Sequence, residues 1–284
     1  MARRSLLFSP GDRPEMMKKA PETGADILVF DLEDAVAPAR KSDARRAVRD
    51  VLADADFDPD AEVGVRVNHD PDVARDDLET ILGADVRLDV LVIPKATAAS
   101  DVETAAALAA EAGRDLPVFA VVENAAGVLA ARDIAAAAAT DALVFGAEDL
   151  SADLGATRTQ AGTELLYARQ HVLLAARAGG VDAIDTVYPD FEDLDGLAEE
   201  AASAATFGYD GKTAIHPAQV GVVNDAFTPA PERVEWAREV LAARDEADRE
   251  GRGVFEVDGE MIDAPLVAQA ERLLERADAT VDGG

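Results

Sequence analysis

Glu123 and Asp149 each stand just past a short apolar run, 118–122 for the first and 142–145 for the second. Two carboxylates delivered by successive runs, in a chain with no cysteine and three histidines, suit a hard cation that takes oxygen ligands and keeps several waters. Mg2+ fits that description better than Zn2+. The same side chains could equally salt-bridge a neighbour or cap a helix. Arg66 sits near the end of the run 63–67, where its planar fork either grips a substrate carboxylate or neutralises Glu33 or Asp34. Lys95, after Pro94, could form a Schiff base, but no apolar or cationic setting is visible to depress its pKa, which favours a charge partner. His216, after Ile215, is either an acid–base group or a structural hydrogen-bonding group, and the second reading has the better claim.

These residues need elements that bring them together. Short apolar runs at 6–9, 27–32, 63–67, 90–94, 118–122, 142–145, 183–187 and 213–215 read as strands buried on both faces, as in a parallel sheet. Alanine-rich segments of helical period alternate with them at about 14–22, 40–54, 72–83, 99–113, 125–138, 161–178, 191–206 and 217–226. Eight strand–helix units in this length predict an α/β chain folded as a (β/α)8 TIM barrel. An open doubly wound sheet ranks behind it, because no Gly-x-Gly-x-x-Gly turn follows an early strand. In such a barrel the C-terminal strand ends converge on one mouth, and here almost every strand delivers a charged or polar group to it.

Beyond the eighth unit Pro229-Ala230-Pro231 breaks the pattern. Residues 232–249 read as a charged helix, 251–262 as a loop or hairpin and 265–279 as another helix. The expected division is a catalytic barrel over 1–228 and a C-terminal extension over 229–284, which either packs as an interface or closes over the site as a lid.

The 284 residues are 49% hydrophobic, enough for a sizeable core, and no run approaches the roughly 20 apolar residues that span a bilayer. After Met1-Ala2-Arg3-Arg4 only Leu6, Leu7 and Phe8 precede Ser9-Pro10-Gly11, too short for a signal-peptide core, so a cytoplasmic protein is expected. With 57 acidic against 27 basic residues the net charge is -30. Phosphate backbones and anionic lipid repel such a chain, which makes nucleic acid and membrane poor partners. Only five of the basic residues are lysines, and the aspartate- and alanine-rich balance points to adaptation to high salt.

Six motifs appear in order: Ser9-Pro10-Gly11-Asp12-Arg13-Pro14, Asp31-Leu32-Glu33-Asp34-Ala35-Val36, Arg66-Val67-Asn68, Val122-Glu123-Asn124-Ala125-Ala126-Gly127, Gly146-Ala147-Glu148-Asp149-Leu150 and Asp258-Gly259-Glu260-Met261-Ile262-Asp263-Ala264-Pro265. With these the chain resembles, over nearly its whole length, the citrate lyase beta-subunit-like branch of the HpcH/HpaI aldolase family, which includes malyl-CoA, methylmalyl-CoA and citramalyl-CoA lyases. Asn124 stands where that family often has Thr or Ser. The resemblance implies a (β/α)8 barrel with Mg2+ on Glu123 and Asp149, and Arg66 on the substrate's carboxylate or keto oxygen. It implies that Asp263 is an acid–base residue supplied by the C-terminal lid, often over a neighbouring subunit's site. A homotrimer, or a hexamer built of trimers, follows from the same likeness. The Pro-Gly-Asp-Arg loop and the next helix line the family's CoA pocket, so Arg13, Lys18 and Lys19 become candidates for the CoA phosphates, against the alternative of a solvated helix face. His216 joins them as a substrate-binding candidate. Glu33 and Asp34, with Asp31, are expected to orient Arg66 or metal-bound water, and they complete the catalytic set of Arg66 and Asp263.

The activity implied is Mg2+-dependent carbon–carbon cleavage of a malyl-CoA-like thioester to glyoxylate, or another 2-oxoacid, and acetyl-CoA or propionyl-CoA. Two alternatives stay open: a malyl-CoA thioesterase on the same scaffold, and a citrate lyase beta subunit working on a carrier-bound thioester.

Overall fold

The structure is a computed structural model and describes residues 2–249, 251 and 253–281. Eight parallel strands form a closed barrel in chain order: β1 (Ser5–Pro10), β2 (Ile27–Asp31), β3 (Glu62–Arg66), β4 (Val90–Ile93), β5 (Val118–Val122), β6 (Thr140–Phe145), β7 (Asp182–Asp185) and β8 (Gly211–Ala214). Closure is made by β8 against β1, with Ser5, Leu6 and Leu7 opposite Lys212, Thr213 and Ala214. All eight strands meet the expected runs. The eighth begins two residues earlier than its apolar signal, because buried Lys212 interrupts the hydrophobic pattern.

Side chains alternate across a strand, so every second residue faces the barrel axis. Leu6, Ile27, Val29, Val90, Val92, Phe119, Val121, Ala142, Val144 and Ile184 form that interior, with Phe8 packed against it. Continuing the same alternation past this apolar filling brings up Phe8, Asp31, Arg66, Glu123, Gly146 and Thr186 at the C-terminal mouth. Period two alone therefore brings four polar groups, Asp31, Arg66, Glu123 and Thr186, to the mouth alongside Phe8 and Gly146. The opposite end is closed by Arg3, whose guanidinium pairs with Glu62, Asp141 and Asp182 near the starts of β3, β6 and β7 and lies 4.8 Å from the centre of the Phe119 ring.

Helices follow the strands as expected, with one addition. Residues Ala147–Leu154 form an eight-residue α-helix directly after β6, where the sequence reading had only a strand end. Gly146 precedes it and Gly155 ends it in the left-handed conformation, at φ 64.

The chain divides into two compact units, one of Arg3–Asn224 and one formed by the residues from Asp225 onward together with the N-terminus. In the second unit, helices Pro231–Arg249 and Ala264–Val281 flank a hairpin of β9 (Phe255–Val257) and β10 (Glu260–Ile262). Asp258 and Gly259 supply the positive φ values, 50 and 82, that a two-residue hairpin turn with matching twist requires. This unit has its own apolar cluster of Ala237, Val240, Ala247, Phe255, Val257, Ile262 and Ala270. Among the described residues no helix is long and apolar enough to cross a membrane.

Candidate active site

Arg66 is the last residue of β3 and is held on two sides. Its Nε and Nη2 each lie 2.7 Å from the two oxygens of Asp31, a bidentate pair, and its guanidinium lies 4.8 Å from the centre of the Phe8 ring. Asp31 is 1% exposed, and its oxygens also accept the backbone N–H groups of Glu33 and Ala35, at 2.8 and 2.9 Å. Asp31 thus fixes both the arginine and the turn that carries Glu33 and Asp34. Gly11 lets this turn pack against the loop after β1, since a Cβ there would lie 2.8 Å from the Asp31 carbonyl oxygen.

Lys95 connects this group to the next. The residue adopts φ 55, a left-handed conformation that is unusual for a side chain of this size. In that conformation its N–H donates to Glu123 Oε1 at 2.8 Å, while its ammonium donates to Glu33 and lies 3.4 Å from both oxygens of Asp34. Burial would lower the lysine pKa, but the hydrogen bond to Glu33 and the charges of Glu33, Asp34 and Glu123 outweigh it and raise the value. An ammonium held charged is a poor Schiff-base nucleophile, so the charge-partner reading is the one the structure shows. Burial pushes the Glu33 carboxyl above its ordinary range, against Lys95 and Arg66, whereas Asp34 is held low by its contact with Glu33 and by Lys95, against the opposing effect of burial.

Glu123 and Asp149 both line a cleft of about 550 Å3 together with Asp34, His69, Lys95 and Asp153. Glu123 is 6% exposed, and burial, followed by the negative charge of Asp149, raises its carboxyl to about 7. Its Oε2 lies over Gly146, where a Cβ would come within 2.7 Å of that oxygen and 2.5 Å of the Glu123 Cβ. Asp149 lies in the first turn of helix Ala147–Leu154. Next to Glu123, Asn124 caps helix Ala125–Ala135 by accepting the Gly127 N–H at 2.7 Å, the task Ser or Thr performs at such a position.

This arrangement fits a hard divalent cation. Burial and then the charge of Asp149 raise the Glu123 carboxyl despite Arg66 and the Lys95 N–H, so a cation on both carboxylates would relieve their repulsion, and both donors are oxygens. Among the described residues no group of three or more His, Cys, Asp and Glu side chains is set to hold a metal, so Glu123 and Asp149 would supply two ligands and leave the remaining positions to water or substrate. Mg2+ is commonly bound in that way.

Exposed Arg13 lies 3.6 Å from Asp12, and Lys18 pairs at 3.1 Å with Asp54, beyond the C-terminal end of helix Lys41–Leu52. Lys19 ends helix Pro14–Lys19 with its side chain exposed. His216 follows β8, is exposed, stacks on Phe191 at 5.0 Å and accepts the Ala218 N–H on Nδ1. Asp263 belongs to the second unit, where it precedes helix Ala264–Val281 and accepts the Leu266 N–H at 3.4 Å.

Sequence reading missed several groups near the site. Asp153 and Thr186 lie on its flanks, and His69 faces the cleft. A network centred on fully buried Lys212 and Asp185 joins Lys212 to Asp185, partly buried Glu200 and the Thr186 carbonyl, with Arg169 forked onto Asp185. The available signal was strand alternation, which places Asp185 and Lys212 on the outward face, towards the helices that carry Arg169 and Glu200.

Known proteins share this architecture and these motifs. A (3S)-malyl-CoA thioesterase of Cereibacter sphaeroides is 39% identical over 277 residues, covering 97% of this chain and 95% of the relative. The mitochondrial citramalyl-CoA lyase of Homo sapiens is 36% identical over 291 residues, covering 97% and 85%. The crystal structure of the protein CitE from Mycobacterium tuberculosis, in complex with magnesium, acetoacetate and coenzyme A, superposes with a TM-score of 0.80 at 39% identity over 98% of both chains. Residues 4–217 match the HpcH/HpaI aldolase/citrate lyase family, and the chain belongs to it.

Proposed function

We propose that this protein is a Mg2+-dependent carbon–carbon lyase acting on a malyl-CoA-like thioester, releasing glyoxylate, or another 2-oxoacid, and acetyl-CoA or propionyl-CoA. The observation that carries the reading is the pairing of two sets of groups at one barrel mouth: the Glu123–Asp149 carboxylates on a cleft, and Arg66 locked by Asp31. The relatives support it, since one is a citramalyl-CoA lyase and the CitE structure holds magnesium, acetoacetate and coenzyme A.

Glu123 and Asp149 would hold Mg2+, which would supply Lewis-acid polarisation of the oxygens at the hydroxy-acid end of the substrate. Arg66 offers its remaining donor edge to the negative charge that builds on the substrate oxygen as the hydroxyl proton passes to water in the cleft. Asp31 keeps the arginine in that orientation without reorganisation during the step. As the bond between the carbinol carbon and the thioester α-carbon breaks, its electron pair passes to the thioester as an enolate and the carbinol carbon becomes the carbonyl of the 2-oxoacid. Asp263 is the proposed acid that protonates the enolate carbon, and in condensation the same carboxylate removes that proton. Glu33 and Asp34, bridged by Lys95, hold the charge balance beside Arg66. Arg13, Lys18, Lys19 and His216 remain proposed contacts for the CoA moiety and substrate.

A second reading, hydrolysis of a malyl thioester to malate and free CoA, is favoured by the similarity to the malyl-CoA thioesterase. Incubation with malyl-CoA, methylmalyl-CoA and citramalyl-CoA, with Mg2+ and with EDTA, separates the two by mass detection of acyl-CoA, 2-oxoacid and free CoA. The lyase reading expects 2-oxoacid and shortened acyl-CoA in equal amounts, abolished by EDTA. Free CoA without 2-oxoacid selects the hydrolase, and no carbon–carbon cleavage on any of the three sinks the lyase.

A further inference from the structure

The two carboxylates of the cleft are placed by different means. Glu123 directly follows β5, and the ladder to β6 fixes it: Val122 is opposite Phe145, and the Gly146 N–H donates to the Val122 carbonyl at 3.1 Å. Asp149 lies four residues beyond β6, outside any ladder, on a helix of only eight residues. A helix that short is unstable by itself and takes its position from its surroundings.

Besides the exposed Arg158–Glu148 contact to the following loop, two hydrogen bonds tie it to its neighbouring units, one on each side. At its start the N–H of Ala147 donates to Thr186 Oγ1 at 3.0 Å, a buried contact to the residue after β7. Thr186 is in turn fixed through its carbonyl, which accepts from Lys212 Nζ at 2.7 Å. In the last turn of the helix Asp153 Oδ2 accepts the Ala125 N–H at 2.8 Å. Ala125 opens helix Ala125–Ala135 two residues after Glu123, and Asp153 lies one helical turn beyond Asp149 on the same face. Both N–H groups are first-turn donors that have no partner within their own helices.

We propose that Thr186 and Asp153 are positioning residues that set the distance between the Asp149 and Glu123 carboxylates and so the affinity of the site for a divalent cation. This rests on the reading that Glu123 and Asp149 hold Mg2+. The helix is strung between its two neighbouring units, and the Asp153 bond ties it directly to the element that carries the other ligand. Ordinary capping alone would affect stability and leave metal affinity untouched.

The test is Mg2+ affinity of the full chain, read by displacement of Mn2+ in EPR titrations, with melting temperature recorded alongside. Wild-type protein binds and Glu123→Gln does not, which checks the underlying reading. Thr186→Val and Asp153→Ala each weaken binding by about 10-fold or more, the scale expected when a partner that orients a metal ligand is lost. Thr186→Ser keeps the hydroxyl, Asp153→Asn keeps an acceptor oxygen for the Ala125 N–H, and both stay within about twofold of wild type, because the geometry rather than the charge is retained. Wild-type affinity in Thr186→Val and Asp153→Ala, with only the melting temperature lowered, would overturn the proposal. So would an Asp153→Asn variant as weak as Asp153→Ala, since charge would then be the cause. Failure of the wild-type protein to bind either ion would remove the metal reading and the clamp together.

Discussion

Asp31 and Arg66 show how one buried carboxylate can orient a cation at the candidate site. The sequence left Arg66 between gripping substrate and neutralising Glu33 or Asp34, and in the structure its main partner is Asp31, with Glu33 at 3.6 Å. That pairing uses Nε and Nη2 and orients the rest of the fork. Replacing Asp31 by Asn keeps the size but loses the bidentate charge, so kcat and kcat/KM should fall together by about 100-fold with KM little changed, as for a group that acts in the transition state. A raised KM with unchanged kcat would instead make Arg66 a ground-state binder. Glu123→Gln and Asp149→Asn should each cost about a thousandfold or more in kcat/KM, the several kcal/mol a Lewis-acid metal contributes, and added Mg2+ should restore neither fully. Activity near wild type in either variant would remove that residue from the metal site.

Elements decide how these residues meet, and here sequence legibility was uneven. The apolar-run signal could be read wherever a strand is uncharged, which is why Asp31, Arg66 and Glu123 were found as strand ends. It failed where charge is buried. Lys212 and Asp185 are fully buried in a network with Arg169 and Glu200, so the eighth strand appeared late and weak. Helix Ala147–Leu154 was missed because eight residues carry too few turns for a periodic signal, and its tethers come from Thr186 and Asp153, which no local pattern singles out. Removing one partner of a buried pair leaves the other charge without compensation, so Lys212→Met should lower the unfolding free energy by about 3–5 kcal/mol in urea melts. A change below about 1 kcal/mol would mean that Arg169 alone satisfies Asp185. Gly146→Ala tests an approach of elements: its Cβ would lie 2.5 Å from the Glu123 Cβ, so Mg2+ affinity should fall about 10-fold while circular dichroism remains that of the folded barrel. Unchanged affinity would show that Glu123 can shift without loss.

At the scale of the whole molecule the net charge of -30 sets the conditions for folding and binding. Self-repulsion of this size is screened as the Debye length shrinks from about 10 Å at 0.1 M salt to about 3 Å at 1 M. The melting temperature should therefore rise between 0.1 M and 2 M KCl, and a flat or falling profile in scanning calorimetry would count against adaptation to high salt. The barrel and its extension were both legible as elements, while the task proposed for the extension rests on the Met261-Ile262-Asp263 motif alone. Whether the bond broken lies between carbons decides the proposed function. Cleavage of malyl-CoA in D2O, with Mg2+ and molar KCl, tests this most directly by mass detection of the thioester product. The account predicts acetyl-CoA carrying one deuterium in its methyl group, with glyoxylate in equal amount. Free CoA and malate, with no deuterated acetyl-CoA, would contradict it.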